Sequence, residues 1–184
     1  MKPVVLLVST ALLCLVVYQK TFFKRLYVIS NLDKRRYLVH EGTEARQKKS
    51  ANTIALLVKK KNQLCEFLKG STKYNNMLPV RRLIRNKDVE IEEKSFEYKD
   101  QAAYSINKGE RIGICLKNEN GKYEDDNTMF FVLMHELAHI MSKRYAHDEE
   151  FWRNFSTLIQ ASVECKLYKY QHFDKEHKTF CGHT

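Results

Sequence analysis

An α+β fold is predicted for this chain, a short sheet packed on helices behind an amino-terminal apolar segment. Three observations predict it. Stretches with apolar residues at helical spacing stand on either side of two short segments in which apolar residues alternate, and residues 3–18 carry no charge at all. The helical stretch around residue 135 is apolar nearly all round, yet it holds two histidines and a glutamate. A length of 184 residues suits one domain with a real core, and two prolines with six glycines argue against long disordered linkers.

The first element is the apolar run. Its sixteen positions (3–18) span about 24 Å as a helix, a little short of the ~30 Å hydrocarbon core, but Lys20 can snorkel and Phe22, Phe23 and Tyr27 suit the interface. Residues 1–19 are therefore expected to be a single transmembrane anchor. A cleaved signal peptide is the rival, weakened by the lack of a small-x-small site at the end of the run. Residues 20–42 follow as a basic juxtamembrane segment with Lys20, Lys24, Arg25, Lys34, Arg35 and Arg36, whose expected partner is phospholipid headgroups. These cations lie carboxy-terminal to the run, so the positive-inside tendency orients the remainder toward the cytosol.

A first helix is predicted over residues 43–69, with Ala51, Ile54, Val58, Leu64 and Leu68 close to one face and Gly70 as its stop. Its cations Arg46, Lys48, Lys49, Lys59, Lys60 and Lys61 are read as a solvated face. Residues 88–98 suggest a strand through Val89, Ile91, Phe96 and Tyr98. Residues 111–117 give a clearer one, with Ile112, Ile114 and Leu116 alternating before the turn at 118–121. Two more helices are expected at 127–143 and 148–168.

The chemistry concentrates in His135-Glu136-Leu137-Ala138-His139. Imidazoles four apart on a helix share a face, so both can bind one zinc ion while Glu136 sits beside the metal's open position. Three neutral ligands leave a fourth position for water and bring its pKa from about 15.7 to roughly 7. Glu136 is the candidate base that takes the water's proton and returns it to the leaving amine. An ordinary helix could hold this spacing by chance, but burying two imidazoles and a carboxylate without a partner is costly.

Two residues compete for the third ligand position. His147 stands just before a helix start, with Asp148 as N-cap and Glu149 and Glu150 in the first turn. Glu164 lies where the next helix could supply a carboxylate. A metzincin continuation is excluded, because seven residues separate His147 from His139 and none of them is glycine.

His-Glu-Leu-Ala-His-Ile, the later His147, and Glu150-Phe151-Trp152 resemble the WLM (Wss1-like) metallopeptidases, relatives of the SprT-like proteases, and most of all WLM-domain proteins of large DNA viruses. The likeness extends upstream through residues 103–112 and Cys115-Leu116, and downstream to Tyr170 and Cys181-Gly182, covering about 45–184. It implies a small zincin-like fold for residues 43–184, a zinc ion on His135, His139 and His147, and Glu136 as the catalytic residue of an endopeptidase. The family commonly has Gly or Thr and then Pro where this chain has Asp148 and Glu149. In zincins an edge strand beside the metal binds substrate backbone, so 111–117 or the strand next to it is the candidate peptide rail.

Five cysteines, an odd number without close pairs, do not suggest a disulfide framework, and a reducing compartment is the simpler expectation. Cys165, His172, His177, Cys181 and His183 match no compact zinc module. Asn154-Phe155-Ser156 fits a glycosylation acceptor but falls inside a predicted helix. Tyr145 is near the motif, yet nothing in the sequence assigns the group that stabilises an oxyanion. The formal net charge of +10 leaves nucleic acid open as a partner. The sequence therefore predicts a membrane-anchored zinc endopeptidase acting on proteins or peptides. Its rivals are an inactive membrane-associated interaction protein with structural zinc, and a protease acting on DNA-bound proteins.

Overall fold

The computed structural model describes residues 24–98, 100–118, 120–172 and 179–182. The expected anchor at 1–19 lies outside them. No helix among the described residues is long and apolar enough to cross a membrane. Among the described residues the architecture is α+β, with two small sheets and four α-helices.

The chain opens with an antiparallel hairpin, β1 (Arg25–Ile29) and β2 (Arg36–His40), with Tyr27 opposite Leu38. It occupies the basic segment, where no strands were predicted. Val28, Tyr37 and Val39 face the core, and Tyr27 and Ile29 face outward. Helix α1 (Glu44–Gly70) starts where Thr43 accepts a hydrogen bond from the Arg46 amide, and it runs through Gly70 to a cap at Ser71. Ala51, Ile54, Val58, Leu64 and Leu68 are all buried along it, as the helical spacing requires. One residue of its supposed solvated face is not solvated: Lys61 is buried and donates to the Lys87 carbonyl. That burial holds its ammonium below the ordinary lysine range.

Helix α2 (Leu78–Arg85) follows, opened by Pro79, whose fixed φ suits a first turn. The three-stranded sheet has the order β3 (Glu90–Glu93), β5 (Arg111–Ile114), β4 (Ala103–Ile106), with β3 parallel and β4 antiparallel to β5. Ile112, Ile114 and Leu116 are buried as the alternation predicts. The strand expected over 88–98 stops at Glu93, and residues Phe96–Tyr98 form a 3-10 turn. Gly113 permits the close passage of Tyr104, since a Cβ there would lie 2.2 Å from the ring.

Helices α3 (Asp126–Met141) and α4 (Glu149–Glu164) pack on each other, and α3 also packs on the sheet. Asp125 caps α3 by accepting from the Asn127 and Thr128 amides. Where α3 ends, buried Asn154 of α4 donates to Ser142 Oγ at 2.9 Å. The glycosylation motif is thus built into the core.

The cysteine reading is corrected. Cys115, just past β5, forms a disulfide with Cys181, their Cα atoms 6.3 Å apart and 66 residues separated in sequence. Cys65 and Cys165 are free thiols. A pairing this distant leaves no spacing pattern, so the local search could not find it.

Candidate metal centre

Helix α3 and the loop before α4 build the site. His135 and His139 are one helical turn apart, and the loop 142–148 returns His147 to them. Its Nε2 lies 3.0 Å from His135 Nε2 and 3.2 Å from His139 Nε2. Tetrahedral Zn–N bonds of 2.0–2.1 Å place ligand nitrogens about 3.3 Å apart, so the donor set fits such an ion. Among the described residues these three form a group able to hold a metal.

Several local features fix His147. Asp148 accepts from the Phe151 amide at 3.1 Å, as the predicted N-cap. Glu150 accepts from the Lys143 amide at 3.2 Å and pairs with Arg82 at 3.2 Å, which closes the loop onto α2. The departure from the family pattern at Asp148 and Glu149 thus leaves the turn competent. Beneath the imidazoles lies buried Phe151, its ring centroid 4.8, 4.5 and 4.6 Å from those of His135, His139 and His147. Phe151 was expected on the predicted helix with Phe155 and Leu158, and its contact with the imidazoles has no signal in the spacing. Trp152 flanks His147 from outside at 5.9 Å.

Glu164 is not part of this group. It sits at the carboxy-terminal end of α4 and pairs with Lys73 at 2.5 Å. In the tail, Cys181 is committed to Cys115, and His177 and His183 lie outside the described residues.

Burial sets the protonation of the centre. Desolvation, then the neighbouring imidazoles, pushes His135 down to about 4, and desolvation with His147 does the same to His139. Both rings are then neutral at pH 7, as metal ligands must be. Burial alone raises the Glu136 carboxyl to about 7, poised for proton exchange near neutrality. His139 Nδ1 is buried without a hydrogen-bond partner.

A cleft of about 560 Å³ opens over the three histidines and Glu136, walled by β4 residues Ala103, Tyr104, Ser105 and Ile106 and by Tyr98 and Tyr145. Strand β5 cannot be a peptide rail, because β3 and β4 occupy both its edges. The strand beside it can. Strand β4 pairs only with β5 among the described residues, and it forms the cleft wall. Tyr104 is held there by donating to buried Glu92 at 2.6 Å. Burial and that carboxylate push the phenol up to about 12, so it stays a donor.

Fold and site together define a small α+β domain with three histidines, able to hold a metal ion, at the floor of an open cleft. Residues 96–184, the stretch that holds the three histidines, match the family model of the WLM domain. The stretch 45–95, included in the resemblance on sequence, lies outside that match. An uncharacterised protein of Acanthamoeba polyphaga mimivirus is 25% identical over 183 residues, covering 97% of this chain and 91% of that protein. An uncharacterised protein of Invertebrate iridescent virus 3 is 39% identical over 66 residues, covering 35% of this chain and 38% of that protein. The crystal structure of Wss1 from Saccharomyces cerevisiae aligns with a TM-score of 0.44 at 15% identity, covering 65% of this chain and 85% of that one.

Proposed function

We propose that this chain is a zinc-dependent endopeptidase, anchored in a membrane by residues 1–19, that hydrolyses proteins or peptides laid along β4. The observation that carries the reading is the convergence of the His135, His139 and His147 Nε2 atoms beside Glu136 in a cleft with an open strand edge. His135, His139 and His147 would hold the zinc, which when bound would supply the Lewis acidity that makes water a nucleophile near pH 7. Glu136, with its carboxyl raised by burial, accepts the proton from the attacking water and delivers it to the amine as the peptide bond breaks. The backbone groups of β4 align the substrate as an added strand, and Phe151 keeps the imidazoles in register.

The experiment is zinc analysis and hydrolysis of denatured protein by the full chain, compared with Glu136→Gln. Zinc retained with hydrolysis lost supports the endopeptidase. Zinc bound with no cleavage by the native chain of either denatured or DNA-bound protein supports the inactive interaction protein instead. Cleavage confined to DNA-bound protein selects the DNA-associated protease. The basic flank argues for a domain on the cytosolic side. The Cys115–Cys181 disulfide argues for an oxidising side, and protease protection in sealed membranes reads which holds.

A further inference from the structure

The end of the molecule formed by the β1–β2 turn exposes an unusual group of side chains. Tyr27, Ile29 and Leu32 on the hairpin are 53%, 50% and 56% exposed, and Leu56 on the neighbouring face of α1 is 40% exposed. Beside them stand exposed Lys34, Arg35, Arg36 and Lys59. Leu32, Leu56, Arg35 and Lys59 line one groove of about 490 Å³ between the turn and α1. Asp33, the acidic residue of the turn, is used within the hairpin, accepting from the Tyr37 hydroxyl at 2.5 Å and the Arg35 amide at 3.1 Å. The turn is held rigidly: Asn52 of α1 accepts from Ser30 Oγ at 3.0 Å and from the Asn31 amide at 2.8 Å, and Lys48 donates to the Ile29 carbonyl at 3.1 Å.

We propose that this turn and its flank are a second membrane contact, which inserts Ile29 and Leu32 at the headgroup level of an anionic phospholipid bilayer while Lys34, Arg35, Arg36 and Lys59 meet the headgroups. The inference rests on the anchor in the proposed function, and chain length makes it feasible. Strand β1 begins at Arg25, seven residues after Tyr18, and seven extended residues reach at most about 25 Å. With the turn on the bilayer that holds residues 3–18, Arg25 stands one five-residue strand, roughly 17 Å, above it, which is within that reach. Apolar tips ringed by cations suit such a surface, where apolar burial and attraction to anionic lipid act together. The contact also has a consequence for orientation. The hairpin packs against β3, and the metal cleft is walled by β4 at the opposite edge of the sheet, so docking turns the cleft away from the lipid.

The test uses the full chain reconstituted into phosphatidylcholine vesicles carrying brominated acyl chains, with or without phosphatidylserine. The chain has one tryptophan, Trp152, so Leu32→Trp combined with Trp152→Phe moves the fluorophore to the turn. The expected result is loss of emission from the tryptophan at position 32 in phosphatidylserine vesicles, with Trp152 of the native chain unquenched. Lys34→Glu, Arg35→Glu and Arg36→Glu together restore the emission. Equal emission from the two positions, or quenching unchanged by the three reversals, overturns the proposal and leaves the surface to a second copy or to nucleic acid. Flotation of the native chain with plain phosphatidylcholine vesicles in high salt reports the anchor separately.

Discussion

Glu136→Gln in the metal-free chain tests the electrostatics of the centre apart from any turnover. Glu136 is only 6% exposed, and burial raises its carboxyl from the ordinary 4.5 to about 7. A folded-state pKa above the unfolded one gives stability that is fully present below about 4.5 and lost as pH rises through about 7. At about 1.36 kcal/mol per unit, ionising Glu136 in the folded chain costs ~3 kcal/mol by pH 8. His135 and His139 have the opposite sign. Their pKa values fall from 6.5 to about 4, so their contribution is present above 6.5 and lost as pH falls through about 4. Both histidines remain in the variant, so their share cancels in the difference. Denaturant unfolding of the chelator-treated chain in detergent, followed by Trp152 fluorescence, should show Glu136→Gln more stable by ~3 kcal/mol at pH 8 and equal to the native chain at pH 4. Zinc should shrink the gain at pH 8, because a nearby cation favours the carboxylate. A difference that does not change between pH 4 and pH 8 refutes the claim that burial holds this carboxyl up.

Other outcomes follow from the same geometry. His147→Ala should lose tight zinc binding in a competition titration with a chromogenic chelator, whereas Glu164→Ala, which removes only the partner of Lys73, should leave affinity unchanged. Gly113→Ala should cost ~2–4 kcal/mol in the same unfolding assay, because its Cβ would meet the Tyr104 ring at 2.2 Å and strain the Tyr104–Glu92 hydrogen bond. Cys181→Ser opens a loop with a sequence separation of 66, for which chain entropy predicts a loss of about 4 kcal/mol; an unchanged unfolding midpoint would show that the disulfide restrains nothing.

Much of this arrangement is legible in the sequence, for identifiable reasons. Helices α1 and α3 and the start of α4 are marked by caps at Thr43, Asp125 and Asp148, and two of them carry clear apolar faces. The His135, His139 and Glu136 geometry follows from helical spacing alone. His147 was legible partly from its place just before the Asp148 N-cap and partly through the family resemblance, with Glu164 left as its rival. The hairpin was hidden because β1 reads Leu26-Tyr27-Val28-Ile29, apolar on both faces, and shows no alternation. Strand β4, Ala103-Tyr104-Ser105-Ile106, was hidden because it buries Tyr104 alone and so lacks the run of alternating core residues that marks β5. Buried Lys61 depends on a carbonyl 26 residues away, and Cys115 pairs across 66, so no local pattern could signal either.

The hairpin changes what counts as the domain. Residues 20–42 read as a juxtamembrane connector, which makes residue 43 look like a safe boundary. Yet Arg25 of β1 donates to Glu92 Oε1 at 2.8 Å, and Tyr104 of the cleft wall donates to the same oxygen at 2.6 Å. Glu92 is 1% exposed, so its oxygens must find their partners within the protein. A fragment starting at residue 43 keeps the histidines, Glu136 and all of β4, and leaves Glu92 with Tyr104 and with Arg111 at 3.4 Å, but without Arg25. Losing the Arg25 hydrogen bond to this charged group costs about 1.5–3 kcal/mol. It also uncovers β3 and the face of α1 on which Val28, Tyr37 and Val39 pack. The fragment from residue 43 should therefore unfold well below the fragment from residue 24 in a thermal melt. Arg25→Met in the longer one should reproduce part of the loss. Equal midpoints for the two fragments would mean that the hairpin is a passenger and that the cleft wall is set by the sheet alone.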